Sequence, residues 1–207
     1  MMLVYGAADV GKSRWLATAT DPLIVDLEHG LQSLSDKHID FVSVDSYKEF
    51  VSILPEIRNY IKRADQSPIT LCIDSLTELA DYCLKEFCAE QKDQRRAYPM
   101  FYDAMIDLIK EIRALPCHTV FTAKHDMLDV NGLTVHAPRM PWRKLQSEVL
   151  HLFSNILYVG KNTKGQSVAT ATSRDVCAAK DRSGRLSKPL DIDVVSIAQV
   201  IQKVANG

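Results

Sequence analysis

Met2-Leu3-Val4-Tyr5-Gly6-Ala7-Ala8-Asp9-Val10-Gly11-Lys12-Ser13 is the stretch that decides how this chain folds. Its last eight residues match G-x-x-x-x-G-K-S in full. Leu3 to Tyr5 read as a short strand ending in glycine, and a helix is expected from Lys12 to about Thr20. A strand that turns through glycines into a helix aims successive backbone N–H groups at one point, which makes a nest for phosphate oxygens. Lys12 is expected to reach the β- and γ-phosphates, and Ser13 to offer its hydroxyl to Mg²⁺. ATP and Mg²⁺ are thus the expected cofactors, with Gly6, Ala7, Ala8, Asp9, Val10, Gly11, Lys12, Ser13 and Arg14 around them. Asp9 would repel phosphate if turned inward, so its carboxylate is expected to face outward or toward a neighbouring subunit. A plain glycine turn with an exposed lysine is the competing explanation, and it does not account for the strand before and the helix after.

Outward from this loop, strands and helices alternate. Leu23–Asp26 and Ile39–Val44 read as strands, and residues 46–64 as a helix with Tyr47, Phe50, Val51, Leu54, Ile57 and Ile61 on one face. Ser46 and Glu49 form a capping box, while Pro55 kinks or divides this helix. Ile69–Asp74 is a compact strand, followed by helices over about 76–90 and 100–115, with the polar stretch Gln91–Ala97 between them. His118–Ala123 is the next strand. Residues 125–143 read as a loop, with a turn at Asn131-Gly132, breaks at Pro138 and Pro141, and one short hairpin arm at Thr134-Val135. A helix over 144–153, strands at 156–159, 167–172 and 176–179, and a helix over 192–204 complete the pattern. The expectation is an α/β fold, a mostly parallel sheet layered between helices with a late antiparallel hairpin.

The 207 residues carry 46% hydrophobic and 25% charged side chains, which describes a globular protein rather than a fibre or a disordered tail. One domain over 1–207 is expected, since no repeat or linker divides the chain. A net charge of -1 argues against a dedicated basic DNA wrapper but leaves room for a local basic patch. The five cysteines are odd in number and lack CxxC spacing, so a reducing, cytoplasmic setting and no structural zinc are expected. The opening MMLVYGAADVGKS lacks a charged leader and a long apolar region, so no signal peptide is expected, and no run of about 20 apolar residues is present to cross a membrane.

Two carboxylates complete the chemistry. Asp74 ends a strand and can support the Mg²⁺ shell, together with Ser13. Ser75 after it either caps the next helix or bonds Asp74. Orienting and deprotonating the attacking water requires a carboxylate on the γ-phosphate side, and Glu28, Asp26 and Glu78 all qualify by type.

At this point the chain resembles the RecA-type recombination ATPase core. The residues that carry the likeness are Ile24-Val25-Asp26-Leu27-Glu28-His29-Gly30, Thr70-Leu71-Cys72-Ile73-Asp74-Ser75 and Val120-Phe121-Thr122-Ala123-Lys124. The resemblance implies a three-layer RecA-like P-loop NTPase in which Glu28 is the catalytic base and Asp74 the magnesium-side aspartate. It puts Lys124 at the γ-phosphate sensor, where the family commonly has glutamine. Closer still, the chain is similar to the short phage-encoded nucleotide-binding and single-strand annealing members. Their Pro-x-Met-Pro segment stands here at Pro138–Pro141 and their Lys-Asp-Arg-Ser-Gly at Lys180–Gly184. That likeness implies an ATPase acting in DNA recombination in the cytoplasm of an infected bacterial host. It also implies single-stranded DNA as partner, a homo-oligomeric ring or filament, and a single-stranded-DNA-binding protein as a further partner. No room precedes Leu3 for the larger recombinases' oligomerisation segment, so annealing is expected rather than full strand exchange.

Two polar, basic insertions take the family's DNA-facing positions: Lys92, Arg95, Arg96 and Tyr98 in the first, and His136, Arg139, Trp142, Arg143 and Lys144 in the second. Cations neutralise phosphates and aromatics stack on bases; solvated charge and a helix-anchoring Trp142 are the plainer explanations. Lys180 and Arg182 are candidates to reach the nucleotide of an adjacent subunit, against a simple charged turn ending at Gly184. Two other classes use the same phosphate loop. A small-molecule kinase would need an arginine-rich lid, which residues 124–144 can imitate, and a nucleotide-dependent protein scaffold would hardly hydrolyse ATP.

Overall fold

The structure is a computed structural model and describes residues 1–34, 39–63, 68–130, 132–172 and 176–205. In chain order its elements are β1 (Met2–Gly6), α1 (Lys12–Leu16), β2 (Pro22–Asp26), a 3-10 turn (Leu31–Leu34), β3 (Asp40–Ser43), α2 (Tyr47–Arg63), β4 (Thr70–Asp74), α3 (Leu76–Glu90), α4 (Gln94–Arg113), β5 (His118–Val130), β6 (Leu133–Pro138), α5 (Arg143–Leu152), β7 (Asn155–Lys161), β8 (Ser167–Thr170), β9 (Lys180–Asp181), β10 (Leu190–Asp191) and α6 (Ile197–Ala205). Strands β7, β1, β5, β4, β2 and β3 lie side by side and run parallel. The later strands β8, β9 and β10 join antiparallel beyond β7.

Alternation along each strand builds two cores. Leu3 and Tyr5 of β1, Leu71 and Ile73 of β4 and Phe121 of β5 face α2, α3, α4 and α5. Met2, Val4, Ile24, Cys72 and Val120 face the other way, against α1 and α6. Each fully buried leucine, isoleucine or phenylalanine here contributes about 1.5–3 kcal/mol. The three-layer α/β architecture with a mostly parallel sheet is therefore the fold this sequence adopts.

Several elements differ from the sequence expectation. Helix α1 ends at Leu16, not Thr20. The Thr18 hydroxyl donates to the Trp15 carbonyl at 2.6 Å, and the Trp15 indole donates to Val195 O at 2.7 Å, so the chain turns away. Helix α2 runs unbroken through Pro55, and Val51 is on its exposed side. Helix α4 begins six residues before Met100, because Asp93 caps it by accepting from Arg95 N–H at 3.0 Å.

The expected loop over 125–143 is mostly an antiparallel hairpin, with β5 thirteen residues long and paired to β6. Pro138 sits at the very end of β6, where its missing N–H costs no ladder bond. No strand forms at 176–179; Cys177 makes a single bridge to His136, and the short β9 follows. The last helix starts at Ile197 rather than Ile192. Ser196 and Gln199 cap it reciprocally, the Gln199 N–H donating to Ser196 Oγ and the Ser196 N–H to Gln199 Oε1. Ala64, at the expected end of α2, and Asn131, of the Asn131-Gly132 turn, lie outside the described residues.

Candidate active site at the carboxyl edge of the sheet

Register places the chemistry. Gly6 of β1 is level with Lys124 of β5, and Asp26 of β2 with Asp74 of β4. These four residues stand at the carboxyl ends of β1, β2, β4 and the parallel-paired part of β5, where open α/β sheets take their ligands. A Cβ on Gly6 would lie 2.3 Å from the Val159 carbonyl oxygen of β7, so only glycine fits there. Asp9 and Gly11 take left-handed φ of 60° and 84°, which curls the loop backbone over the strand end. Val10 is buried beneath it, whereas Ala7, Ala8 and Asp9 are exposed, Asp9 facing outward.

The Lys12 ammonium folds back over this loop and donates to Gly6 O at 3.0 Å and Ala7 O at 2.8 Å. Burial lowers its pKa; the carboxylates of Glu28, Asp74 and Asp9 oppose that, and the Lys124 charge adds to it. Asp74 is almost wholly buried and accepts from the Thr122 hydroxyl. Burial raises its pKa, and hydrogen bonds from Ser13 and Thr122 partly offset the rise. A hydroxyl and a buried carboxylate side by side form a hard-oxygen pair of the kind Mg²⁺ takes, so Ser13 and Asp74 fit that ion.

The three candidate carboxylates have separate surroundings. Asp26 is buried and tied to its own turn, accepting from Glu28 N–H at 3.2 Å and Gly30 N–H at 3.4 Å. Glu78 binds the Lys124 ammonium. Glu28 accepts from Ser75 Oγ at 2.5 Å and lies 3.9 Å from Lys124 Nζ, with 30% of its side chain still open. Ser75 also caps α3 through Glu78 N–H at 3.4 Å, so its hydroxyl serves the helix and Glu28. Burial alone lowers the Lys124 pKa, but the hydrogen bond to Glu78 and the charges of Glu28 and Glu78 outweigh it and the net shift is upward.

The two basic segments meet. Arg95 and Tyr98 on α4 and Pro141, Trp142 and Arg143 leading into α5 line one concavity of about 650 Å³. Tyr98 and Tyr102 both pack edge-on to Trp142, with ring centroids 5.5 and 5.9 Å away. Lys144 Nζ sits 4.3 Å above the Tyr102 ring. Arg139 is drawn to Asp81 at 3.4 Å. Lys92 and Arg96 are exposed and do not line the concavity. His136 lies elsewhere, stacked on Tyr158 with rings 8° from parallel, and in contact with His125.

Lys180 and Arg182 are placed at the opposite sheet edge. Lys180 pairs with Ile156 near the start of β7 and donates to Leu150 O at 3.1 Å at the end of α5, and Arg182 N–H donates to Ser154 O. They are not part of this chain's own phosphate site. Sequence reasoning missed Thr77, Thr122 and Tyr102. Tyr102 had a signal, since it lies one turn after Tyr98; the two threonines had none.

Fold, phosphate loop and convergent carboxylates together define a P-loop NTPase core. The family model described as AAA domain matches residues 1–183, and the chain belongs to that family. A solved structure described as a prototypical ATPase from the type III secretion system of pathogenic bacteria superposes with a TM-score of 0.50 at 17% identity, over 77% of this chain and 51% of that one. The chain thus spans about half the length of that ATPase, and the likeness is one of fold. No curated protein matches the sequence.

Proposed function

We propose that this protein is a Mg²⁺-dependent ATPase that binds single-stranded DNA and acts in recombination by strand annealing, as an oligomer. The observation that carries the reading is the meeting of two separate basic segments around Tyr98 and Trp142. Arginines beside an exposed Tyr98 and a half-buried Trp142 suit a flexible strand, whose phosphates need cations and whose bases stack on rings without regard to sequence. The short phage-encoded annealing proteins that the sequence resembles have the same order of motifs.

In the proposed reaction the loop of residues 6–13 cradles the polyphosphate, and Lys12 meets the charge that develops on the γ-phosphoryl group. Glu28 orients water and accepts its proton as the water oxygen bonds to phosphorus and the β–γ bridging bond breaks, releasing ADP. Ser75 holds the Glu28 carboxylate in place. Mg²⁺, held by Ser13 and Asp74, would neutralise phosphate charge when bound. Lys124 faces both Glu28 and Glu78, which suits it to sense the terminal phosphate. In this reading Lys180 and Arg182, which lie on the far sheet edge, act on a neighbouring subunit's nucleotide, and hydrolysis then depends on assembly.

Fluorescence anisotropy with labelled oligo-dT, with and without ATP and Mg²⁺ across a salt series, tests this reading. Affinity is expected to fall as salt rises, with a slope near −0.7 per phosphate neutralised. Absence of binding in every nucleotide state would remove the DNA assignment, and phosphate transfer to a small acceptor would replace it with a kinase.

A further inference from the structure

The root of the β5–β6 hairpin is closed by Lys124 and Arg139. In a hydrogen-bonded antiparallel pair, facing residues exchange both N–H···O bonds. Here one of the two is direct, from Arg139 N–H to Lys124 O at 2.7 Å. The return bond passes through a side chain of α3. Lys124 N–H donates to Thr77 Oγ1 at 2.9 Å, and that hydroxyl donates onward to Arg139 O at 3.0 Å.

Thr77 is wholly buried. A helical threonine hydroxyl ordinarily bonds a carbonyl one turn back, but this one bridges two other segments. Its helix holds the side chains of the same pair: Glu78 takes the Lys124 ammonium, and Asp81, one turn on, takes the Arg139 guanidinium at 3.4 Å. Beyond Arg139 come Met140, buried in the core, Pro141, with φ fixed by its ring, and Trp142. Few torsions separate the hairpin root from the aromatic patch.

We propose that Thr77 is a positioning residue through which charge at the phosphate edge sets the posture of the Tyr98–Trp142 patch, so that nucleotide regulates strand binding. This rests on the reading of that patch as a single-strand site. A ligand phosphate competes with Glu78 for Lys124. Moving Lys124 disturbs the Thr77 hydroxyl, which carries the second of its two links to Arg139 and ties both to α3, and Trp142 follows.

The test uses the whole chain labelled with 5-fluorotryptophan. It carries two tryptophans, Trp15 and Trp142, whose ¹⁹F resonances are told apart with Trp142→Phe. In the wild type the Trp142 resonance is expected to shift on titration with ATP and Mg²⁺, and oligo-dT affinity to change by about 5-fold or more. Thr77→Val keeps the shape without the hydroxyl; it should still bind a fluorescent ATP analogue but lose the shift, and its DNA affinity should respond by less than about 2-fold. Thr77→Ser should restore both responses. A Trp142 resonance that ATP leaves unmoved in the wild type, that still shifts in Thr77→Val, or that is lost equally in Thr77→Ser overturns the proposal. Should Thr77→Val not fold, Asp81→Asn frees Arg139 from the same helix and is expected to weaken the shift; an unaltered shift there overturns it too. If no form binds oligo-dT, the single-strand reading falls while the ¹⁹F response still decides the role of Thr77.

Discussion

Asp26 ends β2 and Glu28 lies two positions beyond it, and their surroundings separate them. Asp26 is closed into its own turn, while Glu28 is held by Ser75 with its side chain still partly exposed. Replacing Glu28 with Gln is expected to lower turnover by about 10²–10⁴-fold while ATP binding survives, read by phosphate release and by binding of a fluorescent analogue. Unchanged turnover would remove Glu28 from the mechanism. Asp74 supports a prediction of opposite character. Burial raises its pKa above the ordinary carboxylate value, so over that interval the folded chain keeps a proton that the unfolded chain releases. Stability from this group is present at lower pH and is lost as pH climbs through the raised value. Without nucleotide, Asp74→Asn should therefore melt higher at pH 7 and depend less on pH, each recovered kcal/mol raising Tm by about 2–4 °C. A melting curve that drops instead would mean that Ser13 and Thr122 already compensate the buried charge. The phosphate loop and Asp74 were legible because motif and strand pattern agree. Thr77 and Thr122 were not, because a threonine in an apolar run has the same sequence signature whether its hydroxyl is bonded locally or across the sheet.

Among the elements, the parallel strands could be read directly, since strands buried on both faces are unbroken apolar runs. The boundaries that failed were set by polar contacts. Arg95 and Arg96 looked like a loop because apolar periodicity begins only at Phe101, yet Asp93 caps a helix there. The start of α6 was misplaced although Ser196 and Gln199 spell a capping box. The β5–β6 hairpin was hidden by two prolines, one at the strand end and one beyond it. Two predictions belong to this scale. Asp93→Ala should cost about 1 kcal/mol and fray the turn that carries Arg95, weakening oligo-dT binding while leaving ATP binding intact. Gly6→Ala should destabilise the chain by about 1–3 kcal/mol, measured by denaturant melts, because its methyl group meets the Val159 carbonyl of the adjacent strand.

Over the whole molecule, the candidate regions are separated: the phosphate loop and its carboxylates at the carboxyl edge of the sheet, Lys180 and Arg182 at the amino edge, and the aromatic concavity beside α4 and α5. The late segment ties the far end of the sequence to the first motif. Arg14 pairs with Asp193 at 2.5 Å, Trp15 donates to Val195 O, and Ile197 N–H donates to Thr18 Oγ1 at 2.9 Å. All three partners lie beyond the stretch matched by the family model. The loop of residues 6–13 thus depends on props for its short helix that stand about 180 positions further along the chain. A chain with the glycine loop intact but the 193–197 segment undocked would lack these props, and the grip on phosphate would loosen with them.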